Sequence, residues 1–152
     1  MLESRRFSRL RVWVMLMLAL LVLQYESGIA FNISDPPHLA PFSATSFTAF
    51  NNALMTVGPA AIIHVILGTL LGIVAIITQV LALRTSRRSV KAFGGLTLLA
   101  IIIAGIMGQL FAQSGYQNDG YSHGMATTFI LSFILAFLEL YFLKPAPKEQ
   151  AG

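Results

Sequence analysis

The chain contains no cysteine among its 152 residues. That excludes disulfides, thiolate metal sites, iron–sulfur clusters and covalent c-type haem attachment. Charge is scarce as well: 11% of residues are charged, against about 25% in a soluble domain. No P-loop, nucleophile triad or paired-carboxylate arrangement occurs, so hydrolase and ATPase chemistry has no support. Residues 32–59 and 113–123 hold no Lys or Arg at all. What fills the chain instead is apolar: 56% of residues are hydrophobic and the mean hydropathy is +0.75. This composition belongs to the membrane class.

Four apolar runs stand out, each near the ~20 residues a spanning helix needs. The expected fold is all-α, an integral membrane four-helix bundle of up-down-up-down course. It forms a single domain over 1–152, with spans near 11–31, 59–83, 91–113 and 122–143 and a tail at 144–152. The sequence pI of 9.9 does not indicate a nucleic-acid partner, because the placement of charge explains it. Arg5, Arg6, Arg9 and Arg11 precede the first span. Arg84, Arg87, Arg88 and Lys91 lie between the second and third, and Lys144 and Lys148 follow the fourth. All fall on one side of a four-span chain. The positive-inside rule then puts both termini and the 84–91 loop in the cytoplasm, with the protein multi-pass in the plasma membrane and lipid bilayer around it.

The first run has two further features. Residues 12–23 followed by Ser27-Gly28-Ile29-Ala30 resemble a secretory signal with a small-residue cleavage site. Ser4-Arg5-Arg6-Phe7 is similar to a twin-arginine signal, but the residues after it do not continue that pattern. An uncleaved first helix is the preferred reading, with Gln24, Glu26 and Gly28 marking its approach to water. Asn32, Asp35, Pro36, Pro37 and Pro41 give a loop on the outer side. From 43 to 57, Phe47, Phe50, Leu54 and Val57 recur at helical spacing, which predicts a short amphipathic helix in the outer interface. Tyr116 and Tyr121 are expected as interface anchors in the polar turn 114–122. Glu139, near the inner end of the last span, is expected to snorkel or to pair with Arg84 or Arg87. Each hairpin also has a Gln near the outer end of its outgoing helix, Gln24 or Gln109, and a His heading the returning one, a weak internal repeat.

His64 opens the stretch His64-Val65-Ile66-Leu67-Gly68-Thr69-Leu70-Leu71-Gly72, where Gly68 and Gly72 follow at i+4 and i+8. A ring followed by residues without side chains makes a slot beside a helix, into which a flat group or another helix can press. His64 stands 20 residues before Arg84, and His123 stands 21 before Lys144. At about 1.5 Å per residue both rings lie at one level, roughly 30 Å above the cytoplasmic edge. Helices two and four of such a bundle are diagonal, so the two imidazoles are expected to face one central volume. His38, among prolines, is read as exposed and without a role.

Two opposed imidazoles at one depth suit haem b, whose iron takes an axial nitrogen on each face. Gly68, Gly124 and Ala126 are expected to leave room for the ring, and Asn51, Asn52, Gln113 and Tyr116 to meet its propionates. The openings His64-x3-Gly68 and His123-Gly124-x-Ala126 resemble those of small four-helix membrane haem proteins, the bacterial cytochrome b561 group and each half of haem A synthase. The resemblance covers the whole four-span layout and implies one haem b held by His64 and His123 near the outer face. It further implies electron transfer, with a quinone or other redox partner. Against this stands a plainer reading in which the histidines are amphipathic helix-end residues. The chain is then a cofactor-free accessory or structural subunit of a larger membrane complex or homo-oligomer. Copper held by the two histidines with Met107 or Met125 is a third, weaker option. A transporter is the least supported, since mid-span charge is scarce and four spans must oligomerise to form a path.

Overall fold

A computed structural model describes residues 2–33, 39–43 and 47–143. His38 and the tail 144–152 lie outside them, so the expectations placed there are not addressed. The described residues are helical apart from short turns and connections. They form α1 (Leu2–Ile33), α2 (Phe47–Val57), α3 (Pro59–Leu83), α4 (Arg88–Gln113) and α5 (Asp119–Phe142). The four long helices are each long and apolar enough to cross a bilayer. α1 packs on α3 and α5, α3 on α4, and α4 on α5, while the backbones of α3 and α5 stay apart. The long helices thus close a ring with α3 and α5 diagonal. The short α2 rests on α3 and α4.

Helix limits differ from the expected ones for local reasons. α1 extends back to Leu2, well before residue 11, because nothing in Leu2–Arg11 breaks a helix. α5 begins at Asp119, before His123, because the Asn118 side chain accepts from the Gly120 N–H at 3.0 Å and caps the first turn. α3 opens on Pro59 after Gly58, the first-turn position Pro tolerates.

The interior follows a 3.5-residue spacing. On α1 the inward line is Leu10, Val14, Met17 and Leu21, all buried, and then Gln24, Gly28 and Phe31. On α3 it is Ala61, His64, Gly68, Leu71, Ala75, Thr78 and Ala82. On α5 it ends Phe129, Ser132, Ala136, Glu139 and Leu143. Alternating steps of three and four place a continuous seam against neighbouring helices, as in a coiled coil. Gly72 is off this line, and a Cβ there would meet nothing within 4 Å. Gln24 and Gly28 are on it, so they are seam positions and not the wet end of a helix.

Candidate functional site

His64 projects from the second turn of α3 toward α1. Its ring is met by Ser27 Oγ at 2.9 Å from Nδ1 and by Gln24 Nε2 at 3.0 Å from Nε2. Ser27 Oγ also donates to the Gln24 backbone carbonyl at 2.8 Å. A hydroxyl has one proton, so the contact with the ring is made by its lone pair. An Nδ1–H tautomer of His64 donates to Ser27 Oγ and leaves the Nε2 lone pair to the Gln24 amide N–H, which also stands 3.3 Å from Nδ1. Phe31, a turn beyond Ser27, lies nearly parallel to the imidazole with ring centroids 6.5 Å apart.

Glycine makes this approach possible on both helices. A Cβ on Gly28 would stand 3.2 Å from His64 Cε1, and one on Gly68 would stand 3.2 Å from Gln24 Nε2. Each helix thus receives the polar side chain of the other in a glycine notch. The slot beside Gly68 that the sequence led us to expect exists, and Gln24 fills it. The same exchange recurs between α4 and α5 with apolar partners. A Cβ on Gly108 would stand 3.1 Å from Met125 Sδ, and one on Gly124 would stand 3.4 Å from Met107 Sδ. The space beside Gly124 therefore belongs to Met107.

A cavity of about 570 Å³ lies between the four long helices and α2. This is within the range of cofactor and ligand sites. His64, Gln24 and Gly68 form its polar wall, and Met125 and Ala126 of α5 belong to the lining as well. Phe50 and Leu54 of α2 line it too, whereas Phe47 is 81% exposed. His123 is exposed, and neither it nor Gly124 lines the cavity. Of the expected site residues, His64, Gly68 and Ala126 are brought together; His123 and Gly124 are not among them. The 3.5-residue seam gives the reason: on α5 it passes through Met125 and Phe129, two residues away from His123. Asn51 and Asn52 are exposed and stand apart from the lining, as does Gln113, while Gln109 and Tyr116 belong to it.

Tyr116 is 8% exposed and is not an interface anchor. α4 ends with Gly115 at φ +69° and Tyr116 at φ +62°. The Tyr116 N–H returns to the Phe111 carbonyl at 3.1 Å and the Gly115 N–H to that of Ala112 at 3.0 Å. This is the Schellman arrangement, in which the residue after the glycine packs back on the helix. Tyr116 accordingly lies against Phe111 and Phe31, with centroids 5.5 and 5.4 Å away. Leu39 and Phe42 donate backbone hydrogen bonds to the Gly115 and Gln113 carbonyls. The Leu39 carbonyl sits where a Cβ on residue 115 would be, so only glycine fits there.

Glu139 departs from expectation most. It is 0% exposed and pairs with neither Arg84 nor Arg87. Arg87 Nη1 donates to the Phe142 carbonyl at 2.6 Å, and its guanidinium lies 4.8 Å over the Phe7 ring. Arg84 caps α3 and is exposed.

Among the described residues no group of three or more His, Cys, Asp or Glu is placed to hold a metal ion. Comparison with protein-family models, curated proteins and solved structures gave no match.

Proposed function

We propose that the protein is a multi-pass membrane b-type haem protein serving electron transfer, with the haem in the cavity beside α2 and His64 as an axial ligand. The observation that carries this reading is the setting of the His64 ring at the cavity wall, with Ser27 Oγ 2.9 Å from Nδ1 and the Gln24 amide 3.0 Å from Nε2. In the Nδ1–H tautomer Ser27 would orient the ring and raise its basicity, as partners of ligating histidines do. Nε2 keeps its lone pair at the cavity wall, covered only by the Gln24 amide. Bound there, haem iron supplies one-electron chemistry at a potential set by its axial ligands and burial. For His64 to hold the group, Gln24 would have to release its hydrogen bond to Nε2. Phe50 and Leu54 limit water at the mouth.

A second protein ligand to such a haem would be sought on α5, diagonal to His64, where Met125 lines the cavity and His123 is exposed. In this reading the chain runs up-down-up-down with both termini in the cytoplasm, and α2 lies in the outer interface. The test is haem retention through purification of protein made with ample haem. His64→Ala should lose most of the haem, Met125→Ala should shift the spectrum, and His123→Ala should match the wild type. If His64→Ala and His123→Ala both alter the spectrum and Met125→Ala does not, the ligand pair is the two histidines. Wild-type spectra in all three variants remove the assignment altogether.

A second reading has one observation in its favour: both ring nitrogens of His64 already have partners. In that case Gln24, Ser27 and His64 form a polar clasp joining α1 to α3 in a cofactor-free subunit. A colourless protein that unfolds more readily after His64→Ala supports the clasp.

A further inference from the structure

At the end of the bundle away from α2, three buried acceptor oxygens lack a donor. They are Glu139 Oε1, Glu139 Oε2 and Gln79 Oε1. They come from diagonal helices, α5 and α3, and meet over α4 at Gly94. The position of a Cβ on Gly94 lies 2.6 Å from Gln79 Oε1 and 3.0 Å from Glu139 Oε1, so the two oxygens flank the same notch. The Gly94-Gly95 pair lets the Gln79 amide lie flat on α4, with Nε2 3.4 Å from where a Cβ on Gly95 would be.

Among the described residues, no side-chain donor is bonded to these oxygens. The buried hydroxyls of Thr78, Thr97 and Ser132 each donate to a carbonyl of their own helix, at 2.8, 2.8 and 2.7 Å. Arg87 is engaged with Phe142 and Phe7, and Arg9, Arg11, Arg84 and Arg88 are exposed. Lys91 of α4 is half-buried and makes no ion pair with Glu139. A bare carboxylate facing an amide oxygen in a lipid-embedded core is strongly disfavoured. One added hydrogen removes the conflict, because it converts one acceptor into a donor aimed at the other.

We infer that Glu139 and Gln79 form an intramembrane proton-binding site, in which the neutral Glu139 carboxyl donates its O–H to Gln79 Oε1. The ligand of this site is a proton, and Gly94 is the notch that brings the two oxygens together. The site is separate from the His64 cavity, whose lining contains neither Glu139 nor Gln79.

Infrared spectroscopy of the full chain in lipid at neutral pH tests this, with the glutamate carboxyl carbons isotopically labelled. A protonated carboxyl band that moves on glutamate labelling and on deuterium exchange is expected. Glu139→Gln, which has the shape of the neutral acid, should remove that band while the protein still folds. Gln79→Leu should shift it upward by removing the acceptor. A hydrophobic carbodiimide should modify Glu139, and the modified residue is read by peptide mass. If either variant fails to fold, the wild-type band and the site of modification still decide. Only carboxylate bands from glutamate would overturn the proposal, since Gln79 would then donate its amide N–H to a charged group. A band that responds to sodium or potassium would overturn it in favour of a metal cation.

Discussion

Ser27 Oγ, whose proton goes to the Gln24 carbonyl, favours the Nδ1–H tautomer of His64. Ser27→Ala removes the acceptor for Nδ1–H and frees the ring to change tautomer. If His64 holds haem as proposed, retention should fall about 10–100-fold, the usual effect of losing the partner of a ligating histidine, without being abolished. Acid should then also release haem, because protonation of Nε2 would consume the lone pair offered to iron. Tyr116 gives a second pH prediction. Burial raises its phenol above the ordinary tyrosine value. Its neutral form is therefore favoured in the folded chain. That stabilisation is complete below the unfolded tyrosine pKa and is lost as pH rises through the raised folded value. Of four tyrosines, Tyr116 should ionise late in an ultraviolet titration, and Tyr116→Phe should remove the late step. Single residues were the least legible part of the sequence. The slot beside Gly68 was readable from its spacing to His64; Gln24 looked like a helix end nearing water and Ser27 like part of a cleavage site. Glu139 looked like a snorkelling acid because it lies near basic residues in sequence, and only the seam reveals that it points inward.

At the scale of elements, the missed signal was the alternation of three and four. Leu10, Val14, Met17 and Leu21 continue through Gln24 and Gly28 without a break in step, which places both polar groups against a neighbour. A strict i+4 reading instead linked Gly68 to Gly72 and drifted off the face. The glycine notches make a direct prediction. Gly28→Val should push the His64 ring aside and destabilise the α1–α3 contact by about 1–3 kcal/mol, the usual cost of overpacking. Reversible unfolding in mixed detergent measures it, and a neutral result would show that the notch is not tight. The helix Phe47–Val57 was legible from the spacing of its apolar residues. Its inward face was less so: Phe50, Ala53 and Leu54 turn to the bundle while Phe47 and Met55 are exposed. Spin labels at 50, 53 and 54 should be immobile and those at 47, 51 and 55 mobile. Uniform mobility would mean that α2 leaves the cavity mouth.

For the whole molecule, four long apolar helices were legible because hydropathy and length alone specify them. The ring order was legible through the short turn between α3 and α4 and the one between α4 and α5. The cavity was not, because its walls depend on which side chains fill the glycine notches. With Lys and Arg confined to one side of the expected course, reporter fusions after Leu83 and after Ser114 should report opposite compartments, and equal activity at both would contradict four crossings. The central claim is that His64 holds haem in the cavity. It is tested most directly by the dithionite-reduced minus oxidised absorption spectrum of the wild-type protein and of His64→Ala, both purified from haem-supplied cells. The account predicts a Soret band and sharp visible bands of a b-type haem in the wild type and their loss in His64→Ala. A colourless wild type, or an unchanged spectrum in the variant, would contradict it.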